Sequence, residues 1–315
     1  MKPQPVVAIA HTANPYQATA HALSLLPPLA VEPGDKVVIK PNMVRPKPPE
    51  SGVTTDARVV EAIIDHLQGL GVEEITVAEG GNPGTDKAFK VTGLREVVER
   101  HGVGLVNLNK DRGVEVEIKG AWALDRVVIA ETVLECDKLV NVPKLKIHHM
   151  AQVTLSIKNL MGCLVGNRGL TMHHRLDEKL VDLATLFKPV VNVVDGIVGS
   201  EMDEVVGQPV RSNIVIAGTD MVAVDAVGAA AMGLDPAQVR HIQLAARRGL
   251  GQGDLEKIKV VGASLGEVAK PYSTRFSDEK LKTYGLSHPL TPEDLEYMRR
   301  SFTGRDPAVK DPYAE

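Results

Sequence analysis

The sequence predicts an α/β protein: a mostly parallel, twisted sheet flanked by helices, with two α/β lobes in one compact unit and a C-terminal arm. Three observations carry this expectation. Short runs such as Lys36-Val37-Val38-Ile39-Lys40 are apolar at consecutive positions, as in strands buried on both faces. These runs alternate with helical stretches, an order that right-handed crossovers weave into a parallel sheet. Hydrophobic residues make up 43% of the 315 positions but aromatics only 3%, so Val, Leu, Ile and Ala must fill the core. The main α/β domain is expected over residues 1–269, with lobes at 1–145 and 146–269, and the arm over 270–315.

In chain order, Val6 to Ala10 reads as a strand, followed by a helix through Tyr16 to Leu26 that Pro27-Pro28 stops. Pro33-Gly34-Asp35 turns into the strand Lys36 to Lys40. Pro41 cannot extend a central ladder, which leaves Lys40 and Asn42 at the strand's carboxyl end, where open α/β sheets bind ligands. A Pro-rich loop precedes Thr54-Thr55-Asp56, where Thr55 or Asp56 is the natural N-cap for a helix over Ala57 to Gln68. The strand Ile75 to Ala78 ends in Glu79-Gly80-Gly81-Asn82-Pro83-Gly84, which is neither GxGxxG nor a Walker sequence. A helix from Thr92 to Arg100 and a strand near Leu105 to Leu108 continue the alternation. Val114 to Ile118 and Arg126 to Ala130 read as a hairpin or meander with Trp122 between them, and Leu139 to Val142 as a strand. Later elements are a helix opening at His173 and reaching Phe187, a strand Val190 to Val194 ending in Asp195-Gly196, and a loop from Gly199 to Pro209. A strand Ile214 to Ala217, helices Met221 to Met232 and Pro236 to Arg248, and a strand Ile258 to Val261 complete the body. One further helix is expected near Pro292 to Ser301.

Composition removes several function classes. Formal charge is −4, from 36 basic and 40 acidic residues with no long run of one sign, which argues against a nucleic-acid or anionic-membrane partner. The two cysteines, Cys136 and Cys163, form no CxxC. They fit a reducing compartment and are too few for a four-cysteine iron–sulfur cluster. The first residues hold no signal-like apolar stretch, and no segment approaches the roughly 20 apolar residues of a membrane span. A cytoplasmic protein is expected.

The chemistry concentrates between Asp137 and Gly166. If Asn141 to His148 is extended, Lys144, Lys146 and His148 share one face while Leu145 and Ile147 share the other. Cationic groups on one face of a buried strand are costly unless anions answer them. Beyond the strand, Val153, Ile157, Leu160 and Leu164 have helical spacing, as do Gln152, Ser156, Asn159 and Cys163. The expected helix therefore has an apolar face and a hydrogen-bonding face, with its N-terminal N–H groups near the lysines. Lysines focused in a chain of net negative charge suit an anionic small molecule, a carboxylate or a phosphate. The plain alternative is solvated surface charge. His149 and His173 with Asp195 would make a two-His-one-carboxylate set for a divalent metal, although His173 reads equally as a helix-entry residue. Asp195 ends a Val-rich strand, where catalytic carboxylates sit, or caps the turn at Gly196. Asp220 reads as an N-cap, Asp225 as a buried carboxylate wanting a partner, and Cys163 as a small buried hydrophobe.

Lys40-Pro41-Asn42, Gly52-Val53-Thr54-Thr55, Asn141-Val142-Pro143-Lys144-Leu145-Lys146 with His148, and Thr154-Leu155-Ser156-Ile157-Lys158-Asn159 form an ordered set. Val194-Asp195-Gly196 and Ala217-Gly218-Thr219-Asp220 with Ala223-Val224-Asp225-Ala226 extend it. From about Val37 to Gly262 the chain resembles the DUF362 family, a prokaryotic domain named for its unknown function. Many members of that family carry ferredoxin-like cysteine motifs, which are absent from this sequence, so the resemblance implies no cluster here. Relatives have a Gly/Pro-rich loop after the Asp-Gly, whereas this chain has the acidic Gly199-Ser200-Glu201-Met202-Asp203-Glu204. The resemblance implies a shared site at Lys40, Asn42, Lys144, Lys146, His148, Lys158, Asn159 and Asp195, without roles.

Two functions follow. The first is an enzyme in which Lys40, Asn42, Thr54, Thr55, Lys144, Lys146 and Asn159 hold an anion, Lys158 or His148 moves a proton, and Asp195 is a base or metal ligand. The second is a non-catalytic module that binds a cofactor or docks a redox protein, a partner that the ferredoxin-bearing relatives suggest. A homodimer is compatible with either.

Overall fold

The computed structural model describes residues 3–81 and 84–274. The helix expected near Pro292 to Ser301 and most of the expected arm lie outside the described residues.

Strands β1 (Val6–His11), β2 (Lys36–Lys40), β3 (Glu74–Glu79) and β4 (Gly104–Asn107) come from the first third of the chain. A separate antiparallel pair, β5 (Gly113–Glu117) and β6 (Arg126–Ala130), is the expected hairpin. The remaining strands are β7 (Lys138–Asn141), β8 (Lys144–His148), β9 (Gln152–Thr154), β10 (Val191–Glu201), β11 (Gln208–Gly218) and β12 (Lys259–Gly262). The main sheet runs β12-β1-β11-β10-β7-β2-β3-β4, with β8 pairing β10 and β9 off this path. Pairing is parallel from β10 through β4, between β1 and β12, and between β10 and β8. The antiparallel pairs are β1–β11, β10–β11 and β8–β9.

Helices α1 (Pro15–Ser24), α2 (Ala57–Gly69), α3 (Thr85–Val91) and α4 (Leu94–His101) belong to the first half. The short α5 (Glu131–Leu134), α6 (Ser156–Asn159) and α7 (Arg168–Met172) precede α8 (Leu176–Ala184), α9 (Met221–Ala231), α10 (Arg240–Arg247) and α11 (Leu265–Val268). Asp56 caps α2 by accepting the Arg58 N–H, and Asp220 caps α9 through Val222 and Ala223.

Successive strand residues face opposite cores, the reason these strands read as unbroken apolar runs. Val37, Ile39, Val140, Val193 and Ala217 pack with Ala18, Val59, Ile63 and Val97 on one side. Val38, Leu139, Val194 and Ile216 pack with Leu180, Val222 and Ile242 on the other.

Three expectations require correction. First, the chain after His148 does not enter a long helix. It turns back as β9, with Lys146 opposite Thr154 and Ile147 opposite Val153, and only then forms the four-residue α6. Val153, Ile157, Leu160 and Leu164 are all buried as the apolar stripe required, but a strand, one helical turn and a 3-10 turn place them there. Second, Asp195 lies inside β10, which continues to Glu201 past an irregularity between Gly196 and Val198, and Gly199 to Pro209 is largely hairpin rather than loop. Third, α3 occupies a stretch where the sequence predicts no element, and α8 opens three residues after His173.

Pro143 explains how one strand partner gives way to another along β10. Val191 and Asn192 pair with β7, whereas Asp195 pairs with Lys144 of β8. Pro143 has no N–H for a ladder, but its carbonyl accepts the Asp195 N–H at 2.9 Å. Lys144 and Asp195 therefore meet where the sheet changes partners.

Candidate functional site

The site begins with a row across three parallel strands, at the carboxyl ends of β2 and β7 and near the start of β10. Register sets Asn192 of β10 beside Asn141 of β7, and Asn141 beside Lys40 of β2. In-register residues on parallel neighbours face the same way, so these polar side chains form one line on one face of the sheet. Asn159, the last residue of α6, closes over the line. Its Nδ2 donates to Asn141 Oδ1 at 2.8 Å, and its Oδ1 accepts from Lys40 at 3.2 Å and from Asn42 at 2.9 Å. Asn141 Nδ2 in turn donates to Asn192 Oδ1 at 3.0 Å. All are buried, so these hydrogen bonds fix a single arrangement.

The lysines expected to await an external anion are answered largely by the protein. Lys40 Nζ pairs with Glu79 at 2.9 Å and donates to the Pro41 carbonyl at 2.9 Å. Lys144 Nζ lies 2.7 Å from Asp195, whose carboxylate also accepts the N–H groups of Asp56 at 2.8 Å and Ile197 at 3.1 Å. Asp195 is thus fully engaged, as a partner for Lys144 rather than as a free base. Lys146 has three acceptors: Asn42 Oδ1 at 2.8 Å, the Val53 carbonyl at 3.0 Å and the Glu204 carbonyl at 3.1 Å. Burial lowers its pKa to about 7, opposed by Glu204 and reinforced by Lys158 and Lys144. The hydroxyls of Thr54 and Thr55 are likewise spent inside the protein, on the Lys47 and Val142 carbonyls.

Lys158 differs. It is half-buried, and its Nζ has no hydrogen bond or ion pair among the described residues. Burial pushes its pKa down to about 8; Glu204 opposes this, and Arg168 and Lys40 add to it. Lys158 rides on α6, whose single turn could not satisfy its own first N–H groups. Asp225 of α9 does so, accepting Ser156 N at 2.6 Å and Ile157 N at 3.0 Å. This is the partner the buried carboxylate required, and burial raises Asp225 to about 6 against those two donors.

At the end of β8, His148 and His149 both reach Glu204. Strand alternation would separate them, but β8 ends at His148 and the turn brings the rings into a stack 5.0 Å apart. His149 Nδ1 lies 3.0 Å from Glu204 and 3.5 Å from Asp203. Burial alone would lower its pKa, but the two carboxylates raise it to about 10. Glu204, despite burial, is held well below the carboxylate range, with the charged His149 hydrogen-bonded to it. His148 Nδ1 accepts the N–H groups of Met150 at 3.1 Å and Ala151 at 3.2 Å. Its ring proton therefore sits on Nε2, 3.6 Å from Glu204. Burial lowers His148 well below the usual value, and the ring is a neutral N–H donor.

These contacts bear on the expected metal set. Among the described residues, the His, Cys and carboxylate atoms that cluster within 4.8 Å belong to His148, His149 and Glu204, not to His149, His173 and Asp195. The expected set fails because Asp195 is committed to Lys144. The observed trio does not fit a metal well, since an imidazole binding through Nε2 must carry its proton on Nδ1. In His148 that nitrogen already accepts two backbone donors.

Sequence reasoning missed Glu79, Asn141, Asn192 and the acids at Asp203 and Glu204. Glu79 and Asn141 end β3 and β7, so the strand-end rule that found Lys40 would have found them. The acidic loop was noticed without its consequence, that its carboxylates answer the histidines at the end of β8.

The profile of the Domain of unknown function (DUF362) matches residues 37–230, a stretch that holds every site residue named above. The chain belongs to the DUF362 family. This DUF362 chain is similar to Thylakoid-associated protein sll1697 of Synechocystis sp. (strain ATCC 27184 / PCC 6803 / Kazusa), with 28% identity over 246 residues, 72% of this chain and 74% of that one. Among solved structures, the lactate racemase apoprotein from Thermoanaerobacterium thermosaccharolyticum aligns at 14% identity and a TM-score of 0.38. That match covers 78% of this chain and 57% of the other, and a likeness of this degree carries no argument about activity.

Proposed function

We propose that this DUF362 protein is an enzyme acting on an anionic small molecule, a carboxylate or a phosphate, that binds against Lys158. The observation that supports this is the contrast among the four lysines. Lys40, Lys144 and Lys146 have partners inside the protein, while Lys158 has none among the described residues. In this reading Lys40, Asn42, Lys144, Lys146 and Asn159 build the hydrogen-bonded frame of the site, and Lys158 meets the ligand. His148 offers an N–H, and Asp195, Thr54 and Thr55 fix the elements around it. Burial of Lys40, Lys144 and Lys146 speaks against the alternative of a flat lysine surface for docking a redox protein, which needs exposed cations.

A cytoplasmic location is part of this proposal. The Synechocystis relative is named for thylakoid association, and no described helix is long and apolar enough to cross a membrane. The test is a thermal-shift screen of carboxylates and phosphate esters against the wild type and Lys158→Ala. Ligand at about 100 times its Kd should stabilise the wild type by about 2.7 kcal/mol and Lys158→Ala by far less. Equal shifts in both proteins would refute the assignment.

A further inference from the structure

We propose that Lys158 is a nucleophile that condenses with the carbonyl group of an anionic oxo compound, such as a 2-oxo acid, to form an imine. This rests on the anion-binding reading above and names the substrate class. The first support is the state of the amine. Lys40, Lys144 and Lys146 each have Nζ fixed in direction by acceptors, which suits an ammonium serving as structure. Lys158 Nζ has no acceptor among the described residues, so no hydrogen bond from them fixes its direction, although the charge of Glu204 favours its proton. The second support is its neighbourhood: Arg168 and Lys40 disfavour a proton on Nζ against the opposing charge of Glu204, and the Arg168 guanidinium suits the carboxylate of an oxo acid. Their combined action with burial, which leaves the amine near 8, gives a useful neutral fraction at ordinary pH.

The third support is Thr154. It is 4% exposed, and its Oγ1 is buried without a hydrogen-bond partner. A buried hydroxyl left unpaired costs about 1–3 kcal/mol, so it calls for a ligand or water atom. Thr154 is opposite Lys146 across β8–β9, which places its hydroxyl on the face that carries the cations. An unpaired hydroxyl on that face is available to an oxygen of a ligand bound there.

The step balances without an oxidant or reductant. The Nζ lone pair attacks the carbonyl carbon, the C=O π pair moves to oxygen, and a proton passes from nitrogen to that oxygen. The resulting carbinolamine loses water as the nitrogen lone pair forms C=N. The departing hydroxyl takes a proton from solvent and leaves as water, and the iminium nitrogen then gives its proton back to solvent.

The experiment incubates the full chain with glyoxylate or pyruvate, reduces with sodium borohydride, and maps the adduct by peptide mass spectrometry. The expected result is one reduced adduct, located at Lys158 and absent from Lys158→Met, whose rate of formation rises with a midpoint near pH 8. Mapping of the wild type locates the adduct whether or not the variant folds. No adduct, or an adduct spread over exposed lysines such as Lys87 and Lys110, overturns the proposal. Malonate and inorganic phosphate, which lack a carbonyl, separate the two readings. Binding of either without an oxo-acid adduct overturns the imine alone, and binding of neither, with no adduct, overturns anion binding as well.

Discussion

Truncating Lys144 and Lys158 to alanine should have very unequal consequences for stability. Both are lysines close together in sequence, yet Lys144 Nζ and Asp195 are 2.7 Å apart with side chains 1% and 0% exposed. Lys144→Ala leaves a buried carboxylate facing two backbone N–H donors and no cation, a change expected to cost about 3–5 kcal/mol. For a domain of this size, where each kcal/mol moves Tm by about 2–4 °C, the loss amounts to roughly 6–20 °C. Lys158→Ala removes an ammonium that has no acceptor among the described residues and is attracted by Glu204 but repelled by Arg168 and Lys40. After allowance for solvent screening, these opposed charges and the lost packing should together amount to no more than about 1 kcal/mol. Denaturant melts of the two variants, with circular dichroism to confirm the fold, measure both quantities. If Lys158→Ala were as destabilising as Lys144→Ala, the division between structural and ligand-facing lysines would be wrong.

Other consequences are equally direct. His149, raised to about 10, contributes stability in full below its unfolded pKa near 6.5, and that contribution disappears as pH rises through 10. The stability difference between wild type and His149→Gln should therefore shrink across this window in pH-dependent urea melts, and a constant difference would contradict the pairing with Glu204 and Asp203. Gly162→Ala would drive a Cβ into the Glu79 carboxylate and to 2.5 Å from Lys40 Nζ. Overpacking there should cost about 1–3 kcal/mol in the same assay. Asp225→Ala removes the acceptor of both leading N–H groups of α6, and should lower ligand-induced stabilisation by loosening Lys158 even at temperatures where the protein remains folded. Full retention of that stabilisation would assign Asp225 to packing alone.

Much of the location was legible from local rules. Pro41 stops β2 and leaves Lys40 and Asn42 at its carboxyl end. Alternation along β8 predicts the shared face of Lys144, Lys146 and His148, and these three are buried together. What answers them was not legible, because each partner lies far along the chain. Glu79 is 39 positions from Lys40, Asp195 is 51 from Lys144, and the Glu204 carbonyl is 58 from Lys146. Spacing shows that a buried cation needs an acceptor, but the register of a parallel sheet decides which one. The hairpin after His148 escaped for a different reason. Strand β9 has three residues, too few for a period of two to compete with the helical spacing of Val153, Ile157, Leu160 and Leu164. The sequence reads as a strand ending at Asp195-Gly196 and as loop from Gly199. In the fold, a Cβ at Gly196 would sit 2.8 Å from Ile214 and one at Gly199 2.7 Å from the Leu145 carbonyl. There glycine permits close approach between strands rather than ending one.

The central claim is that Lys158 alone among the four site lysines presents a free amine. Reductive methylation of the folded protein with ¹³C-formaldehyde, followed by peptide mapping and NMR titration of the methyl signals, tests it directly. Lys158 should be modified readily and titrate near pH 8, while Lys40, Lys144 and Lys146 stay protected until the protein unfolds. Protection of Lys158, or titration near the ordinary lysine value of about 10.4, would contradict the account.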